Sequence, residues 1–181
     1  MHTTTNTLTT LQNCRTKYVA PATVATFLQS FTNDLRNLRG DALKRAKQER
    51  AACLPHAITK GGRRGIHVQE FARRVQVDLD AADNAHVFRT HGVRGVGLYL
   101  SRQPWAELVA VSASGRGLFV WVRTSDPYTR QLAEGVLRRV VDIATADGVP
   151  LVPDTVNSLS PVALRFAGAE VLGYNADAVP I

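Results

Sequence analysis

The stretch Val75-Gln76-Val77-Asp78-Leu79-Asp80 constrains this chain more than any other, because its apolar and polar residues alternate with period 2. That period is the signature of a half-buried strand, with Val75, Val77 and Leu79 on one face and Gln76, Asp78 and Asp80 on the other. A strand of this kind commits the fold to a sheet covered by an apolar layer. At about 3.3 Å per residue the two carboxylates stand roughly 6–7 Å apart on one face. Like charges so close on a packing strand are costly unless a cation lies between them. A hard divalent ion such as Mg²⁺ or Mn²⁺, which prefers oxygen ligands, would fit. The alternative is an Asp-rich strand end running into a turn, since Asp83-Asn84 follows closely.

Two further stretches bear on the choice. Leu108–Val111 and Leu118–Val122 read as strands joined by Ser112-Ala113-Ser114-Gly115-Arg116-Gly117, hence a hairpin. Asp154 is a lone carboxylate beyond the clearest helix, which Asp126-Pro127 opens and Gly148 ends, with Leu132, Val136, Val140 and Ile143 on one stripe. His86–Arg102 is expected to be mainly helical. The first twenty residues, Thr-rich and polar, are expected to form a flexible lead to a single domain over 21–181. A helix is expected from Pro21, its apolar stripe running to Leu38 and its end at Gly40. Asp41 suits the cap of a second helix reaching about Cys53. Residues 59–65 form a basic, Gly-rich loop without P-loop spacing. A strand around Val162–Phe166 and an irregular tail at Tyr174–Asp177 complete the chain. Interleaved strands and helices make this an α+β chain with a mixed or antiparallel sheet and flanking helices.

Composition narrows the partners. Lys and Arg number 22 against 15 Asp and Glu, a net charge of +7, and most of the cations are Arg. Such a surface suits a polyanion, nucleic acid ahead of an acidic membrane, and Arg suits bidentate contact with phosphate. No apolar run approaches the ~18 residues of a membrane span. The polar N-terminus lacks a secretory core, and Cys14 and Cys53 have no C-x-x-C companions. A cytoplasmic, membrane-free protein is therefore expected.

The order of motifs resembles the archaeo-eukaryotic primase superfamily: D-h-D on a strand, S-x-S-G-R-G entering a strand, then a helix and a lone Asp. More narrowly, it is similar to the primase-like domain of mobile-element and phage replication proteins, often found ahead of a P-loop helicase-type domain. The residues that carry the resemblance are Leu54–Thr59 with Gly61–Arg64, Val77–Asp80, Ser112–Leu118, Leu164-Arg165-Phe166 and Tyr174-Asn175, spread over roughly 40–181. The resemblance implies a primase-polymerase fold and a nucleotidyltransferase that uses a two-metal site of Mg²⁺ or Mn²⁺, nucleoside triphosphates and a single-stranded DNA template. Asp78, Asp80 and Asp154 match the catalytic metal ligands. Ser112, Ser114, Gly115, Arg116 and Gly117, with Arg165, match groups that meet the triphosphate. Lys60, Arg63 and Arg64 would meet nucleic acid. One position departs from the pattern. Phe119 stands where active members commonly carry a His, and a Phe cannot donate to phosphates. A non-catalytic nucleic-acid-binding domain of the same fold, recruiting a helicase, is the alternative expectation.

Overall fold

Apolar and β-branched residues make up most of the stretches that pair. A computed structural model describes residues 7–11, 18–23, 37–49, 52–54, 57–62, 65–159 and 169–181. In chain order the elements are β1 (Thr7–Leu11), β2 (Tyr18–Thr23), α1 (Gly40–Glu49), β3 (Ala52–Leu54), β4 (Ala57–Gly62), β5 (Gly65–Phe71), β6 (Arg74–Leu79), α2 (Ala85–His91), α3 (Val93–Ser101), β7 (Ala106–Val111), β8 (Leu118–Arg123), α4 (Arg130–Ala146), α5 (Thr155–Leu159) and β9 (Glu170–Tyr174). The result is an α+β fold whose main sheet is antiparallel throughout, in the order β6-β8-β7-β9. Two smaller antiparallel sheets, β2-β1-β3 and β4-β5, come from the N-terminal part. Among the described residues no helix is long and apolar enough to cross a membrane.

The main sheet explains where the core sits. Val75, Val77 and Leu79 of β6 share one buried cluster with Leu118, Val120 and Val122 of β8. Val87 of α2, Val96 and Leu100 of α3, and Ala133, Val136 and Val140 of α4 close over it. Each such side chain contributes roughly 1.5–3 kcal/mol by leaving water. The alternation in β6 therefore carries the expected apolar face, but the polar face is covered too. Arg74 and Gln76 are as buried as their apolar neighbours. Cross-strand partners make this tolerable: Gln76 Oε1 accepts from Trp121 Nε1 at 3.3 Å, and Arg74 is held by Glu107 of β7.

Several boundaries differ from expectation. Pro21 lies inside β2 rather than opening a helix; β2 is an edge strand, and its register against β1 slips between Leu8 and Thr10, opposite the segment that holds the proline. Within the stretch expected as a flexible lead, β1 pairs with both β2 and β3. Gly40, with φ of +52°, is the first residue of α1, and Asp41 falls in its first turn, where its charge suits the helix dipole. Cys53 belongs to β3, opposite Thr10. In the basic 59–65 stretch, expected as an open loop, residues 59–62 belong to β4 and Gly65 to β5, which pair antiparallel with Lys60 opposite His67. Helix α4 starts three residues later than Asp126-Pro127 suggested. Thr129 is its N-cap, accepting from Leu132 N–H at 3.1 Å, and the Tyr128 N–H is tied instead to Ala72 C=O at 2.9 Å. Tyr174 ends β9, so the irregular tail begins only after it. The apolar stripe over 24–36 and the strand placed at Val162–Phe166 lie outside the described residues.

Candidate metal centre

β6 delivers Asp78 from within the strand and Asp80 from the residue just past its end. Asp78 is partly buried and Asp80 exposed. The third carboxylate arrives from a separate segment, 151–154, that runs beside β6 and turns into α5. Asp154 N–H donates to Asp78 C=O at 2.8 Å, so the two acidic residues are joined through their backbones. Ser158, fully buried one turn into α5, accepts from Asp78 N–H at 2.9 Å. Asp154 Oδ1 in turn accepts from Val156 N–H at 2.8 Å, a local turn that orients the carboxylate at the helix start. One carboxylate oxygen from each of Asp78, Asp80 and Asp154 then lies within 4.8 Å of the others. The same-face placement expected for Asp78 and Asp80 holds, and Asp154 joins them.

Three hard oxygen donors in that space could hold a divalent cation of the Mg²⁺ or Mn²⁺ kind. A cation there also relieves the repulsion among three like charges. Among the described residues no His or Cys stands in the cluster; His86 and His91 are exposed on α2.

The β7–β8 hairpin borders this cluster. Its loop is folded by its own polar groups. Ser112 N–H donates to Gly117 C=O at 2.9 Å and Gly115 N–H to Ser112 C=O at 2.8 Å. Ser112 Oγ accepts from Gly117 N–H at 3.2 Å and lies 3.0 Å from Ser114 Oγ. Gly115 takes φ of +73°, a left-handed conformation open to Gly. Gly117 is needed for another reason: a Cβ there would sit 2.9 Å from Leu79 C=O and 3.7 Å from Asp80 Oδ1. The hairpin thus presses against the end of β6. Between them is a cavity of about 280 Å³ lined by Asp80, Ala81, Ala82, Ser112, Ser114, Arg116 and Gly117. A second cavity, about 320 Å³, lies against the same serines with Gly115, Arg39 and Glu170.

Of the residues singled out by sequence, Asp78, Asp80 and Asp154 converge. Ser112, Ser114, Arg116 and Gly117 share a cavity with Asp80, and Gly115 lines the neighbouring one. Lys60 lies in β4, and Arg63, Arg64 and Arg165 fall outside the described residues. Phe119 is buried in β8 directly across from Asp78. Two residues beside the centre had no sequence signal of their own. Ser158 sits in an unremarkable Asn-Ser-Leu run. Asn84, read only as part of a turn, is buried and bonded to both acidic segments. No family model, no curated protein and no solved structure matches this chain.

Proposed function

We propose that this chain is a metal-dependent nucleotidyltransferase of the primase-polymerase kind, acting on DNA in the replication of a mobile element or phage. The observation that carries the reading is the convergence of Asp78, Asp80 and Asp154 beside a cavity walled by the Ser-Gly-Arg hairpin. Asp78, Asp80 and Asp154 would hold Mg²⁺ or Mn²⁺, as a pair of ions in the full reading. When bound, the metal supplies charge stabilisation at the reacting oxygens and activates the attacking hydroxyl. Arg116, exposed at the loop tip, is free to swing onto the phosphates of a nucleoside triphosphate, and Arg suits that contact geometrically. Gly117 keeps the loop close to Asp80, so that a cation held there would stand beside those phosphates. The net charge of +7 suits a single-stranded template, with Lys60, Arg63, Arg64 and Arg165 as further candidate contacts.

A second reading rests on Phe119. Buried opposite Asp78, it offers no donor to a phosphate. A nucleic-acid-binding domain that keeps the fold and recruits a P-loop helicase would need none. Primer-extension and primer-synthesis assays with Mg²⁺ or Mn²⁺ separate the two. Wild type is expected to incorporate nucleotides, and Asp78→Ala/Asp80→Ala to lose incorporation while still binding single-stranded DNA. DNA binding without incorporation by wild type under either metal assigns the chain to the non-catalytic reading.

A further inference from the structure

Asp78 and Asp80 are held near each other by one strand, but Asp154 must be brought in from a segment more than seventy residues away. Asn84 spans that gap. The residue is only 1% exposed, and among the described residues its side-chain hydrogen bonds run to the two acidic segments. Nδ2 donates to Asp80 C=O at 3.0 Å and to Val152 C=O at 2.8 Å, while Oδ1 accepts from Val152 N–H at 2.9 Å. The amide pairs with both backbone groups of Val152 as a neighbouring strand would. Its own N–H also donates to Asp80 C=O at 3.1 Å, and it stands at the head of α2. The task needs two donors and an acceptor on one short side chain. Asn supplies them; Asp lacks the donors, and Ser is too short to reach both segments.

From this we infer that Asn84 is the positioning residue of the metal centre: it fixes Asp80 and the segment carrying Asp154 at ligand spacing before a cation arrives. The inference rests on the metal-binding reading of the three carboxylates, not on the polymerase chemistry. Groups that orient metal ligands from behind commonly govern affinity by 10–100-fold.

The test is a calorimetric titration of Mn²⁺ into the intact chain. Asn84→Ala is the first variant, because an Asp at that position would add its own attraction for the ion. It is expected to weaken Mn²⁺ binding by about tenfold or more. Val140→Ala, a core truncation on a helix that supplies none of the three carboxylates, is the control for destabilisation, with both variants titrated at a temperature where each is folded. Val152→Pro removes the N–H that Asn84 accepts. Since Val152 is 51% exposed, this change sacrifices no core and decides the matter if Asn84→Ala does not fold. It is expected to weaken binding several-fold. Wild-type affinity in Asn84→Ala, or in Val152→Pro if the first is unfolded, overturns the assignment. An equal loss in Val140→Ala does the same. Failure of wild type itself to bind Mn²⁺ overturns the metal centre, and the role of Asn84 with it.

Discussion

Gly117 and Gly115 lie two residues apart in one loop, yet they are glycines for different reasons. A Cβ at 117 would stand 2.9 Å from Leu79 C=O, a backbone atom that cannot swing aside, so the hairpin would have to lift off β6. At 115 there is open space and only the φ of +73° to satisfy. Gly117→Ala is expected to cost about 1–3 kcal/mol in urea unfolding, as overpacking does. Gly115→Ala should cost about 1 kcal/mol through backbone strain alone. Because Gly117 approaches Asp80 as well, its substitution should also weaken Mn²⁺ binding, whereas Gly115→Ala should leave it unchanged. Equal Mn²⁺ affinities for the two variants would show that the contact with β6 does not shape the centre. The sequence flagged both glycines as turn residues. It could not distinguish them, since the oxygen that Gly117 avoids belongs to a strand nearly forty residues earlier.

At the level of elements, the three adjoining strands β6, β8 and β7 are tied by a buried ionic group. Glu107 of β7 receives Arg74 Nε at 2.7 Å and Nη2 at 2.6 Å, and Arg123 Nη2 of β8 at 2.9 Å. Arg74 also lies over the Trp121 ring, 4.8 Å from its centroid. Two cations share one anion here, and Arg74 Nη1 and Arg123 Nε have no hydrogen-bond partner among the described residues. Glu107→Ala, which strands both charges, is expected to destabilise by about 3–5 kcal/mol. Arg123→Leu should cost clearly less, because it leaves a neutral Arg74–Glu107 pair; comparable losses in denaturant titration would refute this account. A second link joins helices. Tyr99 of α3 donates to Asp147 Oδ2, at the end of α4, at 2.7 Å. Burial first, then the Asp147 carboxylate, raises the phenol well above its ordinary value of 10.0. The folded state therefore keeps a proton that the unfolded chain gives up, so this stabilisation is whole below about pH 10 and declines above it. Tyr99→Phe should flatten the fall of stability above pH 10. Tyr128 and Tyr174 are raised by burial too, so some slope should survive. An unchanged alkaline profile would remove Tyr99 from the explanation.

For the whole molecule, a ligand that binds only the folded chain raises its stability by mass action. If the three carboxylates hold a cation, Mn²⁺ at a hundredfold excess over its dissociation constant should add about 2.7 kcal/mol. The unfolding midpoint should rise with Mn²⁺ concentration, and Asp80→Asn should abolish the rise. Asp80 suits this test because it is exposed, so the substitution disturbs no packing. A midpoint indifferent to Mn²⁺, or a shift retained in Asp80→Asn, would count against the centre. Magnesium and calcium titrations would then rank the hard cations by fit.

What could be read from the chain alone was local. Period-2 alternation gave β6, the Ser/Gly/Arg stretch between apolar runs gave the β7–β8 hairpin, and a 3.6-residue stripe ending at Gly148 gave α4. Each of these depends on neighbours within a few residues. The pairing of Asp78 with Asp80 was legible for the same reason, and motif order brought Asp154 into consideration. Tertiary structure decided the rest. It covered the polar face of β6, so Gln76 and Arg74 are buried against Trp121 and Glu107. It placed Pro21 in an edge strand, where a missing N–H and a register slip are tolerated. It delayed α4 to Thr129 by tying Tyr128 to Ala72. Above all it joined Asp154 to Asp78 through a backbone hydrogen bond, and Asp80 to Val152 through Asn84. Sequence patterns record which face of an element is apolar; they do not record which distant backbone groups a buried amide will satisfy, because that pairing exists only once the segments have met.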